Sequence, residues 1–131
     1  MKPEKTRQGI IKAFNAAIEG ILYTFKFERN MKIHYLGSVA VLIISLFFNF
    51  SKLEMIMLLM SICLVVVAEM FNTAIEKAVD LVTDEYHVLA KIAKDVAAGG
   101  VLVAALNSVV VGYILFYDKL TDISGILIYK I

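Results

Sequence analysis

From residue 53 to residue 68 the chain is apolar except for Glu54 and Ser61, and a polar stripe follows at once. Glu69, Asn72, Thr73, Glu76 and Asp80 stand at offsets of three, four, seven and eleven. At about 100° per residue these positions fall within an arc of roughly 100° on one helix face. The pattern predicts a helix that crosses hydrocarbon over 53–70 and continues into water to about residue 82. Apolar runs also fill 35–50 and 96–117. With Ile33 and His34 the first approaches the ~17–25 residues a membrane helix needs, and the last meets it with Asn107 and Ser108 near its middle.

Ahead of these spans, Ile10, Ile11, Phe14, Ala17, Ile18, Ile21, Leu22 and Phe25 recur at helical spacing, with Lys12, Asn15, Glu19 and Lys26 opposite. This predicts an amphipathic helix over about 7–27 lying in the membrane interface, although a helix packed on a soluble core has the same period. Residues 28–32 are polar and should turn the chain into the first span. A tight turn at 49–52 makes spans 33–50 and 53–70 an antiparallel hairpin. Residues 83–87 read as a loop, after which Lys91, Lys94 and Asp95 share a helix face just before the span at 96–117. Small residues at 97–100 and at Ala104 and Ala105 favour close helix approach in lipid. The predicted fold is a single all-α integral membrane domain over 1–131, with one surface helix and three transmembrane helices.

Composition agrees. Hydrophobic residues make up 60% of the chain and charged residues 19%, with mean hydropathy +0.81, too apolar for an ordinary soluble domain. A net charge of +1 gives no basic field for nucleic acid. The lone Cys63 sits in an apolar run and has no internal disulfide partner. Residues 1–8 are polar and lack the hydrophobic run of a signal peptide. Lys and Arg cluster before the first span and between the second and third, whereas the opposite side carries only Lys52, Lys119 and Lys130. The positive-inside rule then places the N-terminus and residues 69–95 in the cytoplasm and the C-terminus outside.

A carboxylate beside hydrocarbon costs several kcal/mol unless a cation or hydrogen bonds compensate it. The stripe therefore suggests a cation site, although a structural polar seam that fixes helix register would use the same residues. Glu69 and Glu76 are about 10 Å apart along the helix, too far to hold one ion together but suited to two roles along a ligand. Glu69, nearer hydrocarbon, suits a proton acceptor. Glu76, nearer water, suits a hard cation such as Mg²⁺, with Glu28 as a second carboxylate. Lys94 and Asp95 offer a charge for phosphate and an acceptor for a base or ribose, or else form a solvated helix end. Keeping Glu69, Glu76 and Asn107 from lipid calls for a homo-oligomer. A P-loop, zinc-spaced Cys/His clusters and a G-x-S-x-G motif are all missing from the sequence.

The run Glu69-Met-Phe-Asn72-Thr-Ala-Ile-Glu76-Lys-Ala-Val-Asp80, followed by Glu85-Tyr86-His87 and Ala90-Lys-Ile-Ala-Lys94-Asp95, closely resembles the small prokaryotic diacylglycerol kinase family. The resemblance extends from about residue 11 to residue 117. It implies a homotrimer in a bacterial cell membrane, with active sites between protomers at the cytoplasmic surface, using ATP and Mg²⁺. By position, Glu69 corresponds to the general base, with Asn72 supporting the phosphoryl group or the base, and Glu28 and Glu76 to metal ligands. Asp80, Glu85, Tyr86, His87, Lys94 and Asp95 correspond to nucleotide-binding positions. Glu69, Glu19 and His34 are expected at the lipid substrate. Gly9 stands where the best-known members carry Arg, leaving Arg7 as a displaced nucleotide contact.

The segment 28–34 and the absence of Trp resemble the Gram-positive branch, whose members phosphorylate undecaprenol. Undecaprenol is thus the favoured lipid alcohol and diacylglycerol the alternative. A non-enzymatic membrane subunit or ion conduit is the competing class. A conduit needs polar residues through the bilayer's depth, and here they crowd one end.

Overall fold

The computed structural model describes residues 3–128 apart from Asp84, with side chains described over 9–121. Arg7's side chain, Asp84 of the expected loop and the last three residues of the tail lie outside the described residues. The described residues form four helices, α1 (Pro3–Phe27), α2 (Arg29–Ser45), α3 (Lys52–Val82) and α4 (Val88–Ile128), and over them the all-α expectation holds.

Glu28 alone separates α1 from α2, where a five-residue polar segment was expected. Its backbone is extended (φ −89°, ψ 124°), yet its N–H still donates to the Thr24 carbonyl at 3.0 Å and its carbonyl accepts from the Lys32 N–H at 3.3 Å. Glu28 thus caps α2 through its backbone, and its carboxylate makes no capping bond. That leaves the carboxylate free to reach across to α3.

Two described helices, Lys52–Val82 and Val88–Thr121, are long and apolar enough to cross a membrane. At 1.5 Å per residue α3 is about 46 Å long, well beyond a ~30 Å hydrocarbon core, so its polar end projects beyond it. With 17 residues, α2 reaches only about 25 Å. The expected span at 33–50 is helical only as far as Ser45. Beyond it the chain tightens into i→i+3 bonds from the N–H groups of Leu46, Phe47 and Phe48, and Phe50 N–H turns back to the Phe48 carbonyl at 2.9 Å. The C-terminal helix exceeds its expected limit at 117 and continues through residue 128.

Helix α3 opens with a capping box. The Glu54 N–H donates to Ser51 Oγ at 3.3 Å, and the Ser51 N–H donates to Glu54 Oε2 at 2.6 Å, satisfying two backbone donors that a helix start leaves unpaired. The other Glu54 oxygen, Oε1, meets Lys119 Nζ at 2.9 Å. Near the opposite end Lys94 Nζ reaches Asp80 Oδ1 at 2.6 Å. The two ion pairs lie about 39 Å apart along α3 and about 38 Å apart along α4. That match describes an antiparallel pair in register over nearly the whole of α3.

The α3–α4 pair dominates the packing, and α2 and α1 attach more lightly. Leu58 and Val65 of α3 are buried, as are Val101, Ala104 and Leu115 of α4 and Met31 of α2. Of the small residues expected to favour close helix approach, Ala104 is buried, whereas a Cβ built at Gly99 or Gly100 would meet no atom within 4 Å, so no helix of the single chain packs closely there. Asn107, expected to be kept from lipid between protomers, is exposed on a flank of α4 in the single chain. At about 100° per residue it stands about 60° from Ala104, at the edge of the buried Val101–Ala104 face, and no neighbouring helix of the single chain covers it. Large apolar side chains cover most of the remaining surface, including Leu46, Phe47, Leu64 and Val103. Lipid or further copies of the chain are the natural cover for so much apolar surface.

Candidate active site at the polar end of α3

One face of α3 carries Leu58, Ile62, Val65, Glu69, Asn72, Glu76 and Val79 in alternating steps of four and three, and Thr83 follows as its extended cap. This near-3.5 repeat keeps them on one stripe. The stripe divides into zones along its length. Leu58, Ile62 and Val65 line an apolar groove of about 580 Å³ between α2, α3 and α4, with His34 near one end and Phe116 near the other. Glu69 follows one turn later, then Asn72 and Glu76. Val79, Asp80 and Thr83 form one wall of a polar cleft of about 500 Å³.

Glu69 and Asn72 are almost wholly buried, at 2% and 4% exposure. The Asn72 amide donates to Glu76 Oε1 at 3.0 Å, which fixes both side chains at i, i+4. Glu69 Oε2 and Asn72 Oδ1 are buried with no hydrogen-bond partner among the described residues. Leaving a buried polar atom unsatisfied costs about 1–3 kcal/mol, so two neighbouring acceptors mark a place built to receive a donor or cation. Around Glu69 the surroundings are chiefly burial, with His34, Glu76, Glu28 and the Asn30 side chain close by. Four expected residues, Glu28, His34, Glu69 and Glu76, therefore share one neighbourhood.

The Glu28 carboxylate meets Lys77 Nζ at 3.4 Å. An ammonium thus sits against the carboxylate expected to help hold a metal. Among the described residues no three His, Cys, Asp or Glu side chains are grouped closely enough to form a metal cage. Two carboxylates and an amide oxygen still fit a hard divalent ion such as Mg²⁺, which takes few protein ligands and completes its shell with phosphate and water. The orphaned oxygen of Asn72, bonded through its amide to Glu76, is consistent with that donor set.

The polar cleft holds all six expected nucleotide-binding residues, Asp80, Glu85, Tyr86, His87, Lys94 and Asp95, together with Lys91. Local hydrogen bonds shape its loop. Thr83 Oγ1 accepts from the Glu85 N–H at 3.1 Å and donates to the Glu85 carbonyl at 3.2 Å. His87 Nδ1 accepts from the Leu89 N–H at 3.2 Å at the start of α4. Tyr86 is 80% exposed, leaving its ring face free to stack. Lys94, hydrogen-bonded to Asp80, holds that carboxyl below the usual carboxylate range. The pair's contribution is therefore present above an ordinary Asp pKa of about 4 and is lost as the pH falls below it. At neutral pH the cleft has fixed charges of both signs. Lys94→Ala is expected to raise the KM for ATP about tenfold or more with little change in the lipid KM, as removal of a charged hydrogen bond implies. A rise confined to the lipid KM would assign Lys94 elsewhere.

Of the expected substrate residues, Glu19 alone stays apart. It is exposed on α1 and makes no hydrogen bond or ion pair among the described residues. The apolar stripe opposite it, including Ile10, Phe14 and Leu22, is exposed as well, so the single chain covers neither face of this part of α1. Sequence reasoning missed Asn30 and Lys77 as neighbours of the carboxylates. Lys77 adjoins Glu76 in the chain, but nothing local points to its pairing with Glu28.

Residues 15–116 match the family profile described as Prokaryotic diacylglycerol kinase. The chain is 42% identical over 109 residues to the undecaprenol kinase of Bacillus subtilis, covering 83% of this chain and 89% of that protein. It is 40% identical over 115 residues to the diacylglycerol kinase of Synechocystis, covering 87% of this chain and 66% of that protein, just under two thirds of its length. The diacylglycerol kinase of Escherichia coli K12 is 29% identical over 109 residues, again with 83% and 89% coverage. With a profile spanning most of its residues and relatives named for lipid phosphorylation, this membrane protein belongs to the prokaryotic diacylglycerol kinase family of lipid kinases.

Proposed function

We propose that this chain transfers the γ-phosphate of ATP to the primary hydroxyl of a membrane lipid alcohol, with undecaprenol the favoured acceptor. The observation that carries this reading is the order of features along α3. An apolar groove, a buried carboxylate with an unpartnered oxygen, an amide–carboxylate pair and a polar cleft follow one another on a single face. A lipid alcohol and a nucleotide approaching from opposite ends of that face would meet at Glu69 and Asn72.

In this reading the lipid chain lies in the groove and its hydroxyl reaches Glu69 past His34. Glu69 accepts the hydroxyl proton as the oxygen attacks the γ-phosphorus and the bond to ADP breaks. Asn72 keeps Glu76 in place through its amide and offers its carbonyl oxygen to the incoming groups. Glu28 and Glu76 would hold Mg²⁺, with the Glu28 carboxylate, now 3.4 Å from Lys77 Nζ, free to serve as a ligand once that ammonium moves aside. When bound, the ion neutralises charge on the triphosphate. Lys94 pairs with phosphate, Tyr86 stacks on the base, and Asp80, Glu85, His87 and Asp95 complete the nucleotide shell. Positioning and charge neutralisation then supply most of the acceleration.

The assembly belongs to the same proposal. With α2 as a third, short span, the N-terminus and the polar end of α3 face the cytoplasm and the C-terminus lies outside, as the Lys and Arg distribution requires. A homotrimer covers part of the apolar flank and gives Asn107 a protein neighbour. Diacylglycerol is the second reading for the acceptor, favoured by the near-equal identity to the Synechocystis diacylglycerol kinase. Purified protein in mixed micelles with Mg²⁺ and γ-labelled ATP should label both alcohols, undecaprenol faster at equal mole fraction. A faster rate on diacylglycerol would reverse the substrate order. No label in either would refute the reading.

A further inference from the structure

The groove has a built end. Along α4 it runs from Ala105 to Phe116, about 16 Å by helix rise and so roughly half of a ~30 Å hydrocarbon core. Its opening by His34 lies beside Glu69, which follows Val65 of the groove by one turn of α3. At the far end Phe116 meets two rings from the turn between α2 and α3. Phe48 stands edge-on to it with ring centroids 5.3 Å apart, and Phe50 lies at 5.2 Å. Phe48 and Phe50 are themselves 6.4 Å apart. These spacings suit attractive aromatic contact.

The cluster is also pinned. Lys119 Nζ sits 5.8 Å from the centre of the Phe50 ring, within cation–π range, and the same ammonium is bound by Glu54 of the capping box. The end of α2 at Ser45 is what frees Phe48 and Phe50 to turn in against α4.

We propose that Phe116, backed by Phe48 and Phe50, is the floor of the groove and limits how deep the hydrocarbon chain of the substrate alcohol inserts. One chain fills the groove for about a leaflet's depth, and any further length leaves sideways into the bilayer. The inference rests on the lipid-kinase reading, because continuity with Glu69 is what identifies the occupant as the acceptor's own chain. It makes Phe116 a specificity-determining residue for chain length, remote from the transferred phosphate.

The test measures kcat/KM for a series of prenols and a series of monoacylglycerols, each of increasing length, in identical mixed micelles. For the wild-type chain the value should climb with length and level off at a break where the chain meets the floor. In Phe116→Ala the break should move to longer chains, with a gain of about tenfold for the first alcohol beyond the original break, comparable to the discrimination a pocket achieves for added methylenes. The shortest alcohols and the KM for ATP should hardly change. Phe116→Leu, which keeps more of the packing, should shift the break the same way by less. An unmoved break, or an equal loss at every length, would overturn the floor. A changed oligomer size or melting temperature with an unmoved break would also overturn it, and would point to a second copy as the groove's occupant. No phosphorylation of any alcohol by the wild-type chain would instead defeat the kinase reading itself.

Discussion

Glu69→Gln is expected to lower kcat by about 10²–10⁴-fold, the usual contribution of a positioned general base, while ATP binding persists. The substitution keeps the size of the side chain and removes only its capacity to take a proton. Glu69 is buried beneath the end of the apolar groove, with one oxygen unpartnered among the described residues. An amide there satisfies no fewer contacts than the carboxylate did and removes the cost of burying a charge. Thermal stability should therefore hold or rise as activity collapses. That opposite movement separates a catalytic role from a structural seam, for which stability and activity should fall together. A near-normal rate would remove Glu69 as the base.

Glu76→Gln carries the second large effect. The Asn72 amide can still donate to the Gln oxygen, so the local geometry of the 3.0 Å contact is preserved and only the charge is lost. If Glu76 holds Mg²⁺, half-maximal activity should require about 10-fold or more Mg²⁺, and saturating metal should recover part of the rate. Glu28→Gln should act the same way, with one difference. Lys77 loses its partner at 3.4 Å as well, so some stability should go with the metal affinity. An unchanged Mg²⁺ profile in both variants would count against the carboxylate assignment.

The sequence made α3 legible because two independent signals coincide there. Its apolar run is too long for a thin soluble core, and the carboxylates that follow share a face in a place where charge is expensive. Both survive in the structure, from the capping box at Ser51 to the extended cap at Thr83. The end of α2 was harder to read. Residues 46–50 are mostly Leu and Phe, so hydropathy continues smoothly where the helix has stopped. Only the polar residues within 49–52 mark the turn, and they read as a tighter turn than the one formed; the Ser51–Glu54 capping box emerges from the structure.

Pairings between distant residues were illegible for a different reason. Glu28 with Lys77 and Glu54 with Lys119 depend on how helices stack, which no local pattern encodes. The nucleotide cleft lies between these extremes. Lys94 and Asp95 stood out by charge and spacing, but Glu85, Tyr86 and His87 were picked out only by resemblance. Thr83's two hydrogen bonds to Glu85 are what present that loop to the cleft. Asn107 shows the converse limit. Its polarity pointed to an interface between protomers, and its exposure on the single chain leaves that contact to a neighbouring copy.

The account depends most on the claim that the acidic stripe of α3 meets a divalent ion carrying a nucleotide. Mn²⁺ standing in for Mg²⁺ makes that visible in the electron paramagnetic resonance spectrum of Mn²⁺–ATP, titrated with the purified protein in micelles. The spectrum should change as the wild-type chain is added, and the change should be lost or strongly weakened with Glu76→Gln. A Mn²⁺–ATP signal that responds equally to both proteins, or to neither, would contradict it.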